Sequence, residues 1–170
     1  MKHIICDTIV LKDISEEEFN ERNGAKEEEE LLMQIANLCS ENEKNDELQD
    51  AFQVVQDILF RMHRSIRAFG LFDNEEYVGH VLLSDHETPT PEIHVELDEA
   101  YRRRGIGSQA LRLVIDEAFQ NASVDFLIYR VHGENAASIA LVEKCGGVLV
   151  ETGSYIDEII RHYHICRPNK

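Results

Sequence analysis

This chain of 170 residues contains no tryptophan, only three prolines and only four cysteines. The cysteines stand far apart without a Cys-x-x-Cys pair, so we expect reduced side chains in a cytoplasmic protein. His162, His164 and Cys166 alternate along one predicted strand and converge poorly on one ion, which favours a structural role. No apolar run approaches the roughly 20 residues of a membrane span, and no signal-peptide core is present. We therefore expect no membrane association.

Basic side chains are scarce. The sequence has 17 lysines and arginines against 33 aspartates and glutamates, a formal net charge of -16. A surface of this charge repels a phosphate backbone, so we expect no nucleic acid among the partners of this protein. The charge suits a cationic partner such as an amine, although solubility alone explains the same composition.

The order of predicted elements indicates one mixed α/β (α+β) domain over 1–170, because no repeat or low-complexity tract marks a second one. Its N-terminal segment, about 15–65, is predicted to be helical, and Ser15 and Glu18 have the spacing of a capping box. The predicted helices cover 15–22, 25–40, 46–64, 107–121 and 135–146. The predicted strands cover 3–12, 68–72, 77–84, 92–97, 126–132, 148–151 and 159–166.

The most informative segment runs from Glu92 to Gly107. A predicted strand over 92–97 leads through a short turn into three consecutive arginines, and Gly105 and Gly107 then open a helix. Glycine lets the backbone approach a ligand closely, and the unpaired N–H groups and dipole of a helix N-terminus favour an anion. This assembly predicts a phosphate or pyrophosphate site. The arginines that add positive charge there are Arg102, Arg103 and Arg104.

Two other nucleotide-binding loops need to be distinguished from this one. A P-loop is excluded because no Gly-Lys-Ser/Thr follows the glycines. The stretch from Gly105 to Ala110 does match the dinucleotide fingerprint G-x-G-x-x-A. That fingerprint places its first glycine directly after the strand, whereas seven residues separate Leu97 from Gly105. Asp125 also precedes the next strand instead of ending it, so a Rossmann-type oxidoreductase is the weaker alternative.

Two spaced motifs resemble those of the GNAT superfamily of N-acetyltransferases. Arg102-x-x-Gly105-x-Gly107 resembles its acyl-CoA loop, Q/R-x-x-G-x-G/A, and the stretch 135–147 resembles its N-x-x-S…E-K-x-G-F segment. The strand 92–97 resembles the E-I-G-Y-x-L strand of the branch with ribosomal-protein and small-molecule N-acetyltransferases. The resemblance covers about 78–165, with an acyl-CoA core at about 77–147. It implies a mixed, mostly antiparallel central sheet with a βαβ acyl-CoA-binding unit.

The resemblance also implies which residues hold acetyl-CoA, the expected co-substrate, with no metal involved. The backbone at 104–108 is expected to hold the pyrophosphate, and the backbone at 95–97 to bind the pantetheine arm and polarise the thioester carbonyl. Asn135 has two open roles, a contact to CoA and a helix N-cap. The implied acetyl-CoA-binding residues are Val95, Leu97, Arg102, Arg103, Arg104, Gly105, Ile106, Gly107, Ser108, Asn135 and Ser138.

Candidate catalytic groups follow from strand alternation, which places Glu92, His94 and Glu96 on one face of 92–97. Titratable groups in a central strand predict a wet cavity that takes a proton from an amine, unless the face is merely exposed to solvent. Glu92 matches the glutamate of the family's strand and is favoured as the base, ahead of Glu96 and His94. Neighbouring carboxylates are expected to raise the pKa of His94.

The proton donor for the leaving thiolate is open. Many family members have a tyrosine seven residues after the motif asparagine, and this chain has Val142 there. Ser138 is the nearest hydroxyl on the same predicted helix, and Tyr155 lies in the final loop. A water or no dedicated acid also suffices, because a thiol with a pKa of about 8.5 leaves readily as a thiolate.

The predicted function is an acetyl-CoA-dependent N-acetyltransferase that acts by direct attack of a primary amine in a ternary complex. The rival from another class is a catalytically silent acyl-CoA-binding sensor. A protein N-terminus, a polyamine, an aminoglycoside and an amino-acid-like metabolite are all open as acceptors. The oligomeric state is open as well, a homodimer included.

Overall fold

The computed structural model describes residues 2–6, 8–23, 32–33, 65–155 and 158–167. The chain divides into two compact units, 15–65 and the combination of 1–14 with 66–170. The helices predicted over 25–40 and 46–64 lie outside the described residues, apart from 32–33, which are helical. The single domain over 1–170 stays a prediction.

In the unit 15–65, helix α1 spans Glu16–Asn23. The Ser15 side-chain oxygen accepts a hydrogen bond from the Glu18 backbone N–H at 3.0 Å, so the predicted helix start is confirmed. Glu18 also forms an ion pair with Arg22 one turn later, at 2.9 Å. Acidic side chains in the first turn complement the positive end of the helix dipole.

The described residues of the other unit form an eight-stranded sheet with helices, in the strand order β1-β2-β3-β4-β5-β6-β8-β7, and the strands are antiparallel except between β5 and β6. This confirms the predicted mixed, mostly antiparallel fold. The strands are β1 Lys2–Cys6, β2 Ile9–Ile14, β3 Ile66–Asp73, β4 Glu76–Ser84, β5 Glu92–Leu97, β6 Phe126–His132, β7 Gly147–Tyr155 and β8 Glu158–Cys166. The helices of this unit are α2 Ile106–Ala118 and α3 Ala136–Lys144.

The start of the chain differs from the prediction of a single strand over 3–12. It forms a hairpin in which Ile4 of β1 lies opposite Val10 of β2. No glycine or proline marks the reversal, and Asp7 and Thr8 are the only turn-prone residues there. The hairpin of β3 and β4, by contrast, is where the sequence predicts it, with positive φ angles at Asn74 and Glu75 that suit a two-residue turn.

The segment β5–α2–β6 is the predicted βαβ unit, and its two strands are parallel. Helix α2 packs through one apolar stripe, whose fully buried members recur at helical spacing. Those members are Ile106, Ala110, Leu111 and Val114. Among the described residues, no helix combines the length and apolar character that crossing a membrane requires.

Candidate active site

The loop between β5 and α2 contains two glycines with different structural requirements. Gly105 caps α2 with a φ of 80°, a left-handed conformation that strains most side chains. Gly107 lies inside the helix, where an added Cβ would come within 3.2 Å of the Leu97 Cδ1 atom. Gly105 therefore permits the turn into the helix, and Gly107 permits α2 to pack closely on the end of β5.

The N-terminus of α2 presents backbone donors. The first backbone hydrogen bond of the helix runs from the Gln109 N–H to the Gly105 carbonyl at 3.1 Å. The N–H groups of the three preceding residues therefore have no carbonyl partner within the helix. The Ser108 hydroxyl donates back to the same carbonyl at 2.9 Å. No acidic residue lies in the first turn. Helix dipole and N–H groups together make this end suitable for an anion.

The three arginines ahead of Gly105 are exposed and differ in their contacts. Arg102 Nε donates to the Leu97 carbonyl at 2.9 Å, which ties the loop back to β5. The Arg104 guanidinium lies 5.4 Å from the centre of the Tyr101 ring. Arg103 has a positive φ of 59°, a left-handed backbone conformation two residues before Gly105. Positive charge therefore lies beside the N-terminus of α2.

The strands β5 and β6 separate after a single registered pair, Glu92 opposite Ile128, although both strands are fully described. On its other side β5 pairs with β4 along its whole length. Asp98 N–H donates to the Val78 carbonyl at 3.0 Å, which fixes the alternation of the antiparallel ladder. By that alternation the backbone N–H and C=O of Val95 and Leu97 point away from β4, into the opening beside β6.

The predicted row of titratable side chains divides into two parts. Glu92, the favoured base, accepts a hydrogen bond from Arg130 at 2.6 Å in a partly buried ion pair. His94 and Glu96 are exposed. Glu96 lies directly opposite His80 of β4, and its carboxylate is 4.0 Å from His80 Nε2. The exposed part of the row therefore meets a histidine from the neighbouring strand.

His80 is a site residue that no sequence pattern singles out. Its side chain is only 4% exposed, and its ring centre lies 6.2 Å from that of His94. Burial lowers the pKa of His80 to about 4, and the charge of His94 adds to that shift. The pKa of His94 is also lowered, and burial is the largest cause. Glu96 and Glu92 oppose that shift. The expectation of a raised pKa is wrong because surrounding protein atoms outweigh both carboxylates, even though part of the ring reaches solvent.

Helix α3 begins with a side-chain cap and carries the candidate proton donor. Asn135 Oδ1 accepts the Ser138 backbone N–H at 3.0 Å, so the expected N-cap is confirmed. The Ser138 hydroxyl lies 2.7 Å from the hydroxyl of Tyr129, a β6 residue that is 1% exposed. Burial raises the pKa of Tyr129, and the bond to Ser138 partly offsets the rise. Val142 is fully buried in the core, and the Tyr155 side chain lies outside the described residues.

Tyr129 is a second residue that the sequence analysis did not single out. It stands at an inward position of an apolar strand, where an aromatic side chain is ordinary. Of the alternating set on β8, His164 stacks on Phe126 with 4.0 Å between ring centres, which fits the predicted structural role.

The sequence around this site matches a known protein family. The model of the family described as Acetyltransferase (GNAT) family matches residues 29–147. The chain belongs to the GNAT acetyltransferase family. The match contains β5, the arginine-glycine loop, α2, β6 and α3. The prediction of an acyltransferase is thereby confirmed. No curated protein matches the sequence.

Solved structures show the same GNAT fold at low identity. A ribosomal L7/L12 alpha-N-protein acetyltransferase in complex with coenzyme A is 16% identical, with a TM-score of 0.60 and 98% of each chain covered. The ribosomal-protein-S5-alanine acetyltransferase from Vibrio fischeri is 15% identical, with a TM-score of 0.62 and coverage of 98% of this chain and 96% of its own. A dodecameric spermidine N-acetyltransferase from Vibrio cholerae is 15% identical, with a TM-score of 0.57 and 94% of each chain covered.

Proposed function

We propose that this GNAT enzyme moves an acetyl group from acetyl-CoA to a primary amine by direct attack in a ternary complex. The observation that carries the proposal is the opening between β5 and β6, which adjoins the free N-terminal end of α2. One surface thus presents backbone groups for an extended thioester arm and helix N–H groups for a pyrophosphate. A phosphate-bearing thioester requires these two features side by side.

The pyrophosphate of CoA is held by the backbone at 104–108, as the family's loop implies. The N–H groups that precede the helical ladder of α2 donate to it, and Gly105 leaves the approach open because an added Cβ there would meet nothing closer than 3.7 Å. Arg103, which is exposed, adds charge. Arg102 acts through its bond to the Leu97 carbonyl, since it keeps the loop against the end of β5.

The pantetheine arm and thioester lie along β5. The N–H and C=O of Val95 point into the opening beside β6, where a pantetheine amide forms the hydrogen bonds that β6 does not. A main-chain N–H here polarises the thioester carbonyl and stabilises the oxyanion that develops during attack. The Leu97 carbonyl is already engaged by Arg102, so only its N–H remains for this role.

The amine gives up its proton to His94, and Glu96 acts as the partner carboxylate of that ring. Glu92 is a weaker candidate than the sequence indicates, because its carboxylate accepts a hydrogen bond from Arg130 at 2.6 Å. A lowered pKa keeps His94 neutral near pH 7, which leaves a ring nitrogen able to accept a proton. Glu96 beside it balances the imidazolium that forms. Ser138, supported by Tyr129, supplies a proton to the leaving thiolate.

The acceptor is a cationic amine. The net charge of -16 attracts such a substrate over distance, and Glu96 adds a local negative charge at the site. The relatives of similar fold act on ribosomal-protein N-termini and on spermidine, which are amines of this class. We place the enzyme in the cytoplasm, where acetyl-CoA is available.

Release of free CoA tests this function. Acetyl-CoA is incubated with spermidine, with a peptide carrying a free N-terminal serine, and with a neutral aromatic amine, while a thiol reagent follows CoA. We expect amine-dependent release that is fastest with a cationic acceptor, acetylated product by mass spectrometry, and slower release in His94→Ala and Glu96→Gln. Glu92→Gln distinguishes Glu92 from His94 as the base, because this variant should retain most activity if His94 takes the proton. Tight acetyl-CoA binding without release for any amine would instead identify a silent sensor.

A further inference from the structure

The face of the sheet that contains His94 and Glu96 brings together three potential metal ligands from two strands. His80 on β4 and Glu96 on β5 are direct cross-strand partners, and His94 lies two residues from Glu96 on the same face. One ligand atom from each of these three side chains lies within 4.8 Å of the other two. The hydrogen-bonded register of β4 and β5 fixes this arrangement, because a shift by one residue would turn Glu96 to the opposite face.

We propose that His80, His94 and Glu96 bind one divalent transition-metal ion, with zinc as the preferred ion. Two imidazoles and a carboxylate are a ligand set that zinc accepts, and they leave a fourth position open. Magnesium and calcium prefer sets made of oxygen alone, which this site does not offer. A tetrahedral ion with bonds of about 2 Å brings its ligand atoms to roughly 3.3 Å from one another. The ligand atoms now lie within 4.8 Å of one another, and rotation of the exposed His94 and Glu96 side chains can shorten these distances.

Tyr77 orients the ring of His80, the buried ligand of the proposed site. Its hydroxyl lies 2.8 Å from His80 Nδ1, so the hydroxyl can accept the Nδ1–H and leave the lone pair of Nε2 directed toward Glu96. A ligating histidine usually has such a partner on its other nitrogen, which fixes the tautomer and the ring orientation. His80 is almost fully buried and packed between Tyr77 and His94, so its ring is held before any ion arrives.

Metal binding has a consequence for the enzyme that rests on the proposed function. His94 and Glu96 are the groups proposed to take the proton from the amine. A zinc ion bound to them occupies their lone pairs and places positive charge where a cationic acceptor must enter. Zinc is therefore expected to inhibit competitively against the amine and to leave acetyl-CoA binding on the other side of β5 unchanged.

Titration with zinc and cobalt ions tests the site without any assay of activity. The full chain, stripped of metal with a chelator, is titrated with Zn²⁺ by calorimetry and with Co²⁺ by visible absorption. We expect one ion per chain and the intense bands of a tetrahedral cobalt site. His94→Ala and Glu96→Gln alter exposed side chains and should weaken zinc at least about tenfold, and Tyr77→Phe by a similar factor. Mg²⁺ should produce no heat.

His132→Ala is the matched control. His132 forms a comparable exposed pair with Glu158 at 2.7 Å on another part of the sheet. That variant should keep the affinity of the wild type. Equal zinc affinity in the wild type, His94→Ala and Glu96→Gln would overturn the site, and so would loss of binding in His132→Ala. Acetyl transfer measured in the presence of chelator is independent of this outcome, so a failure of the proposed function and a failure of the metal site are distinguishable.

Discussion

At the scale of single residues, His80 lies beside His94 and Glu96 of the proposed amine site. It is a buried histidine on a central strand, bonded to the Tyr77 hydroxyl and facing Glu96. Because burial lowers the pKa of His80 to about 4, its ring is neutral near pH 7. A neutral His80 allows His94 to accept a proton without a second positive charge beside it.

The lowered pKa of His80 predicts how stability changes with pH. The unfolded chain binds a proton near pH 6.5, whereas the folded chain does so only near pH 4. Between these values the unfolded state holds more protons, so the free energy of unfolding falls as the pH falls. This single group contributes a loss of up to about 3 kcal/mol. Denaturant unfolding with chelator present should show a steeper acid loss for the wild type than for His80→Gln; parallel curves would contradict the account.

Ser138 and Tyr129 are predicted to act as one unit in protonating the leaving thiolate. Because the two hydroxyls are 2.7 Å apart, removal of either breaks the same bond. Ser138→Ala and Tyr129→Phe should each lower kcat on the order of tenfold with little change in the KM for acetyl-CoA, and the double variant should be no slower than either single one. Ser154→Ala, an exposed serine on β7, is the control. A raised KM with normal kcat would assign Ser138 to CoA binding alone.

At the scale of elements, the β5–α2–β6 unit was predictable, whereas the opening hairpin and the register of β4 against β5 were not. Apolar periodicity and the glycines gave β5 and β6 at 92–97 and 126–132, where the structure has them, because these signals are local. The opening hairpin was missed since residues 3–12 lack a glycine or proline at the reversal. The approach of His80 to Glu96 depends on the register of two strands, which no local pattern specifies.

Helix α3 provides a test that separates capping from ligand binding. Asn135 caps the helix through its side-chain oxygen, so Asn135→Ala should lower the free energy of unfolding by about 1 kcal/mol. Asn135→Asp keeps an oxygen at the same place and should preserve stability. If Asn135 also contacts CoA, both variants should raise the KM for acetyl-CoA. Denaturant unfolding and acetyl-CoA kinetics on the same samples measure the two roles. Equal stability of Asn135→Ala and the wild type would contradict the capping role.

At the scale of the whole molecule, the chain has a formal net charge of -16, and the three consecutive arginines at 102–104 are a local exception in the sequence. The field of such a charge is expected to attract cationic amines from solution, and it is screened over a Debye length of about 8 Å at physiological salt. The order of motifs predicted the family, whereas the cationic acceptor that the composition suits stays a prediction. Neither identifies the acceptor itself, because that depends on the side chains that surround the amine.

Salt dependence measures the contribution of this field. The kcat/KM for a cationic amine should fall several-fold between low and high ionic strength, while that for a neutral amine should change little. Steady-state rates with both acceptors at matched acetyl-CoA concentration provide the comparison. Identical salt dependence for the two amines would limit the acidic surface to a role in solubility.

Binding of acetyl-CoA at the N-terminus of α2 is the central claim, and calorimetry on glycine variants tests it most directly. Gly105→Asp places a negative charge beside the proposed pyrophosphate, and Gly105→Asn adds a side chain of the same size that tolerates the left-handed φ of 80°. Gly153→Asp, in open space on β7, is the control for added charge. We predict unchanged affinity in Gly153→Asp, weakened affinity in Gly105→Asn and no detectable binding in Gly105→Asp. Wild-type affinity for acetyl-CoA in a folded Gly105→Asp variant would contradict the account.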